Sequence, residues 1–211
     1  MKVEKFFYND IDEVIANAYV VYDDNGEAVV FDPSTNNDGI ANFIKRHNLT
    51  LKGVFLTHGH FDHIAGVDRL IEEFKVPLFI HELEKDFLTD TSLSCPFMGE
   101  NNVIVKSTPT LVRDNEEIHI FENDSIRVIH TPFHTEGSVC YYFINNKILI
   151  SGDTLFKMSV GRSDLPTGNS RKMSSSLAKL KELPKETKIY PGHGPNTTLQ
   201  LELMLNNFFK I

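Results

Sequence analysis

The run Thr57-His58-Gly59-His60-Phe61-Asp62-His63 constrains this chain more than any other feature. Four side chains suited to metal binding fall between positions 58 and 63, directly after the apolar run Gly53–Thr57, which reads as a buried strand. In extended backbone, side chains at i and i+2 project to the same side, so His58 and His60 can point at one ion. Gly59 between them leaves room for a tight bend. Asp62 and His63 come where a helix is expected to begin, near Ile64. They project differently and can serve a second ion close by. The competing reading is a polar loop whose histidines merely cap that helix. Three histidines and an aspartate in this arrangement weigh against it.

Such a cluster needs a rigid frame, and the chain has the means to build one. Its 211 residues suit a single domain, 1–211, with a real hydrophobic core. A hydrophobic content of 41% and a charged content of 24% are those of a soluble globular protein, not a disordered one. The net charge of -8 disfavours a nucleic-acid partner or an anionic membrane surface. The acidic, weakly apolar N-terminus does not read as a signal peptide, and no apolar run is long enough to span a membrane. Cys95 and Cys140 are too few for a disulfide framework and lack metal-ligand spacing, and Cys140 in the apolar stretch VCYYFI reads as a buried, inert thiol. A cytoplasmic protein is the expectation.

Periodicity predicts strands at VEKFFY, NAYVVY and EAVVF, with a turn at Asp24-Asn25-Gly26. Ile40, Phe43, Ile44 and His47 mark one face of a helix, and Ile64, Val67, Ile71 and Phe74 repeat that spacing before Pro77 and the strand LFIH. Residues 89–109, with Pro96, Gly99, Asn101-Asn102 and Pro109, read as a long irregular excursion. Strands then resume at EIHIF, SIRVIH, SVCYYFI and KILIS, with Asn145-Asn146 as a turn. A helix over Ser170–Leu183, a strand KIYP and a final helix follow. That last helix has Thr197 and Gln200 at capping-box spacing, and Leu201, Met204, Leu205 and Phe208 on one face. The repeated order suggests two sheets packed face to face, with helices on the outer faces.

Three further segments place potential ligands just past apolar strands: Thr131-Pro132-Phe133-His134-Thr135, Gly152-Asp153-Thr154 and Pro191-Gly192-His193-Gly194. Each is weak alone, and together with the first cluster they are strong. HGHFDH matches the H-x-H-x-D-H signature of the metallo-β-lactamase superfamily, and TPFHTEGS, SGDTLF and PGHG match its later segments in order. The chain resembles that superfamily over nearly its whole length. The resemblance implies an α/β fold, the four-layer αββα sandwich. It implies two divalent ions, zinc first with iron or manganese as alternatives. Residues matching His58, His60 and His134 would hold one ion, and those matching Asp62, His63 and His193 the other, with Asp153 bridging. His47, His81, His119 and His130 read as structural.

SGDTLFKMSVGRSDLP is similar to the corresponding stretch of glyoxalase II-like hydroxyacylglutathione hydrolases, especially the short bacterial form. The implied reaction is hydrolysis of a small acyl thioester by a metal-bridging water in its hydroxide form, with Asp62 both ligand and catalytic residue. True β-lactamases of the superfamily usually have cysteine where Asp153 stands, which disfavours that activity. Beyond His193 the chain has length for one helix, short of the segment with which full-length glyoxalase II grips glutathione, so the carrier thiol is open. Phe133 and Glu136 replace a Gly and a Pro common in the third segment, and Phe133 either narrows the pocket or packs beneath the loop. Arg162 is a candidate for a substrate carboxylate, with a surface or structural ion pair as the alternative. Competing functions on the same motif are a mononuclear-iron persulfide dioxygenase, a lactonase or other ester hydrolase, and a non-catalytic metal-binding role.

Overall fold

The computed structural model describes residues 1–7, 16–95 and 103–210. The expectations for Tyr8, Pro96, Gly99 and Asn101-Asn102 lie outside the described residues. Two compact units divide the chain: Met1–Ile80 with Glu84–Leu111, and His81–Leu83 with Val112–Ile211.

The first unit is built on a six-stranded sheet in sequence order, β1 (Lys2–Phe6), β2 (Ala18–Tyr22), β3 (Glu27–Phe31), β4 (Thr50–Phe55), β5 (Leu78–His81) and β6 (Pro109–Val112). Strands β1 to β3 pair antiparallel, and the expected turn joins β2 to β3, with Asp23 Oδ1 accepting from the Asn25 and Glu27 amides. β3, β4 and β5 run parallel, which requires crossovers. Helix α1 (Gly39–Arg46) supplies the first, and α2 (Phe61–Ile64) with α3 (Val67–Phe74) the second. Ile40 and Ile44 of α1 and Val67 and Leu70 of α3 pack with Val20, Val30 and Val54 in one buried cluster. The alternate residues Tyr19, Val21, Val29, Phe31 and Phe55 are buried too. These strands are therefore covered on both faces, which is why they read as nearly continuous apolar runs.

Two expectations for this unit need correction. The helix expected from Ile64 begins earlier, at Phe61, and is broken after Ile64. The break lies at Gly66, whose amide donates to the Pro33 carbonyl at 2.7 Å and where a Cβ would stand 2.2 Å from the Thr35 carbonyl oxygen. The close pass of the 33–35 backbone, not local propensity, sets that break. The stretch 89–109 is also less irregular than its composition suggests. It holds a one-turn helix α4 (Thr91–Ser94), with the Asp90 carboxylate capping the Ser92 amide, and the first residue of β6. Pro109 is tolerated because it opens a strand at the edge of the sheet.

The second unit carries β7 (Glu117–Phe121), β8 (Asp124–His130), β9 (Val139–Phe143), β10 (Ile148–Gly152), a small ribbon β11 (Leu155–Phe156) with β12 (Ser159–Val160), α5 (Met173–Lys181), β13 (Lys188–Pro191), β14 (Thr197–Thr198) and α6 (Leu199–Leu205). Its main sheet has the order β14-β13-β10-β9-β8-β7. The parallel pair β10–β13 is bridged by α5, whose expected start at Ser170 is a 3-10 turn through Lys172. Leu177 and Leu180 of α5 pack with Cys140, Tyr142, Leu149 and Ile189. Burial pushes the Cys140 thiol up to about 11, the inert group expected. Phe133 is fully buried in the same cluster, so it packs beneath its loop.

The last helix corrects its sequence reading. Its cap is Thr198, whose hydroxyl accepts from the Leu201 amide, while Thr197 donates to Glu202 Oε1 at 2.7 Å. Leu201, Met204 and Leu205 face solvent, and Leu199 and Glu202 are the buried positions. Among the described residues, no helix is long and apolar enough to cross a membrane.

Candidate metal centre

In the first unit, the end of β4 and the first turn of α2 present His58, His60, Asp62 and His63, all at most 9% exposed. The His58 ring centroid is 4.7 Å from that of His60 and 4.1 Å from that of His63. His63 Nε2 is 3.8 Å from Asp62 Oδ2. Holding so many polar groups inside a protein demands compensation, and much of it comes from Asp32, one residue past β3. Its Oδ1 accepts from the Thr57 amide at 2.8 Å, and its Oδ2 accepts from the Thr57 hydroxyl at 2.7 Å and from His63 Nδ1 at 3.0 Å. With its hydroxyl proton given to Asp32, Thr57 Oγ1 accepts from His58 Nδ1 at 3.1 Å. Both rings are thereby held as Nδ1–H tautomers, which places the lone pair on Nε2, the arrangement a metal-ligating histidine needs.

Asp32 adopts φ 46°, a left-handed conformation uncommon for a residue with a side chain. Such strain persists where surroundings over-determine it, and three hydrogen bonds to one carboxylate do so here. Sequence reasoning missed this residue. Its only signal is an Asp-Pro pair closing an apolar strand.

In the second unit, His134 follows β8, Asp153 follows β10 and His193 follows β13. Asp153 Oδ2 is 3.5 Å from His134 Nε2 and 3.5 Å from His193 Nε2. His134 Nδ1 donates to the Arg162 carbonyl at 2.7 Å, so in the neutral ring Nε2 presents a lone pair to the carboxylate. Two acceptors facing each other repel unless a cation lies between them. Ligand atoms each about 2.1 Å from a tetrahedral ion stand about 3.4 Å apart. Donor chemistry and spacing both fit a divalent metal. The Phe156 ring meets His193 edge-on at 5.8 Å, which limits how that imidazole can turn.

Arg162, the candidate substrate contact, holds Asp164 through Nε and Nη2 at 2.6 and 2.8 Å on the exposed surface. The Arg162 guanidinium in turn draws the Asp164 carboxyl down to about 2. Its structural service to the ligand set is through its main chain. Of the remaining histidines, His47 and His119 are exposed. His81 is buried and stacked on His130 at 4.3 Å, and burial and the neighbouring His130 push it down to about 4. His130 Nε2 donates to the Glu136 carbonyl at 2.8 Å.

The chain belongs to the metallo-β-lactamase superfamily, whose family model matches residues 11–193. It has that superfamily's fold, two mixed sheets flanked by helices, as the sequence led one to expect. It is 36% identical over 195 residues to the "Probable metallo-hydrolase YqgX" of Bacillus subtilis, with 92% of each chain covered. The "Hydroxyacylglutathione hydrolase" of Pelagibacter ubique is 32% identical over 166 residues, covering 79% of this chain and 61% of that one. Among solved structures, BLEG-1 B3 metallo-β-lactamase superposes with a TM-score of 0.90 at 35% identity over 100% of both chains. TTHA1623 in a di-iron-bound form gives 0.81 at 32% identity, covering 96% of this chain and 100% of that chain.

Proposed function

We propose that the two ligand sets form one dinuclear centre and that the protein is a metal-dependent hydrolase of a small acyl thioester such as S-lactoylglutathione. The reading follows the superfamily's ligand pattern: His58, His60 and His134 would hold one ion and Asp62, His63 and His193 the other, with Asp153 shared between them. The observation that carries it is the tautomer control: the Nδ1 atoms of His58, His63 and His134 are each engaged by a protein oxygen, which places the lone pair on Nε2. The hydroxyacylglutathione hydrolase relative favours the thioester. Zinc suits these nitrogen and oxygen donors, and the di-iron relative makes iron the first alternative.

Two bound divalent ions would supply an acidified water at neutral pH and a Lewis acid for the carbonyl oxygen. The chain does the rest. Asp32 and the Arg162 carbonyl keep the imidazoles turned inward. Asp62, in the first turn of α2, would hold a metal and offer a carboxylate oxygen as acceptor to such a water. The departing thiol has an ordinary pKa of about 8.5, so it leaves as thiolate and needs no dedicated side-chain acid. Phe156 walls the side of His193.

The test is hydrolysis of S-lactoylglutathione by metal-replete protein, with His58→Ala as control. A kcat/KM above about 10⁴ M⁻¹s⁻¹, lost in the variant, is the expected result. A second reading, β-lactam hydrolysis, is favoured by the full-length likeness to BLEG-1 despite Asp153 standing where many β-lactamases have cysteine. Turnover of a chromogenic cephalosporin with none of the thioester would replace the first reading by the second. One iron per chain with persulfide-dependent oxygen uptake would remove both.

A further inference from the structure

The 3-10 helix Glu82–Leu88 lies outside every motif that marks the metal cluster, yet it touches the cluster twice. A 3-10 helix has about three residues per turn, so side chains at i and i+3 eclipse. Glu84 and Phe87 therefore share a face. Glu84 is fully buried, and its Oε2 accepts from the Gly59 amide, between His58 and His60, at 2.8 Å. Phe87 is 1% exposed and occupies the space beside Gly59, where a Cβ would stand 2.3 Å from Phe87 Cβ. Its ring centroid is also 5.9 Å from that of His60.

We propose that Glu84 is a positioning residue for metal binding: its carboxylate clamps the Gly59 amide and so sets how His58 and His60 are presented together. The assignment rests on the metal-site reading above. A buried carboxyl group is costly to hold in a protein interior unless hydrogen-bonded, and the Gly59 amide supplies such a bond to Oε2. Phe87 blocks any side chain at position 59, so the amide can approach Glu84 and the two rings can diverge by the bend between them. Clamp and wedge come from one helical turn. The clamp fixes one main-chain hydrogen while the wedge fixes the path on either side of it.

The experiment is a chelator-competition titration of full-length apoprotein with Zn²⁺, comparing wild type, Glu84→Gln and Glu84→Ala, with the apoprotein melting temperature measured alongside. Glu84→Ala is expected to weaken zinc binding about tenfold to a hundredfold, the usual effect of losing an outer support. Glu84→Gln keeps a neutral acceptor of the same size and is expected to fall between the two. Its Co²⁺ complex should show an altered visible absorption. A lower melting temperature with wild-type zinc affinity in both variants would make Glu84 merely structural and overturn the proposal. If the alanine variant does not fold, Glu84→Gln decides alone, and an isotherm superimposable on wild type overturns it. Wild type that takes up no zinc in the same titration would instead overturn the metal-site reading.

Discussion

The two units solve the same problem differently. The first carries its four candidate ligands between positions 58 and 63, on one strand end and the helical turn that follows. The second gathers His134, Asp153 and His193 from three separate strand ends. Their supports differ too. The first unit orients His63 with a side chain, Asp32, whereas the second orients His134 with a main-chain carbonyl, that of Arg162. A contiguous cluster is fixed by local sequence and by the side chains behind it. A dispersed set is fixed by sheet register: the pairing of β8 with β9, β9 with β10 and β10 with β13 brings the three strand ends into line. The first arrangement is open to damage by single substitutions at its supports, and the second is buffered against them.

The largest effect breaks the comparison if the two sets do not work as one centre. Asp62→Ala and His134→Ala, one from each unit, should each lower hydrolysis by about 10³-fold or more, since several kcal/mol of stabilisation by bound metal is at stake. Far-ultraviolet circular dichroism should be unchanged. Full activity in the Asp62 variant would separate the units functionally.

A middle-sized effect sharpens the contrast between side-chain and main-chain support. Asp32→Ala should weaken metal binding by about tenfold to a hundredfold and lower stability by about 2–4 kcal/mol, because it strands the Thr57 amide and His63 Nδ1. Arg162→Ala leaves the carbonyl in place and breaks only a surface ion pair. Metal affinity should stay within about twofold and the urea midpoint close to that of wild type. Zinc titration and urea unfolding of the two variants check both halves. Equal losses would erase the distinction.

The smallest effect concerns acid. His81, in the second unit, is held down to about 4 against an ordinary 6.5, so the unfolded chain binds the extra proton between those values. Its contribution to stability is full above about pH 6.5 and is lost as pH falls towards about 4. The urea midpoint of apoprotein should therefore drop more steeply from about pH 7 to about pH 5 in wild type than in His81→Asn. Parallel curves would show that His81 does not set the acid response.

What was legible in the sequence follows the same division. The strands, and the ligand candidates at their ends, were readable because apolar runs ending in Gly, Pro, His or Asp are local signals. The helical break at Gly66 was not, because it is imposed by a backbone pass more than thirty positions earlier in the chain. Asp32 and Glu84 were missed for a related reason. Their partners, Thr57, His63 and Gly59, are distant in sequence, and nothing local distinguishes a buried acceptor from a surface acid. Phe133 illustrates an ambiguity rather than an omission: sequence left two placements open, and burial chose one.

The final helix carries one more consequence. Its apolar residues Leu201, Met204 and Leu205 face outward, while Glu202 is buried and accepts from the Met158 amide, the Thr197 hydroxyl and the Asn206 side chain. Apolar contacts are non-directional, so a helix held by them alone can slide or rotate at small expense. A carboxylate with three donors has one seat. Met158 lies in the turn between β11 and β12, on the ribbon whose Phe156 lies against His193. The final helix thus acts as a locating pin, indexing the ribbon beside the candidate ligand His193 to a single position.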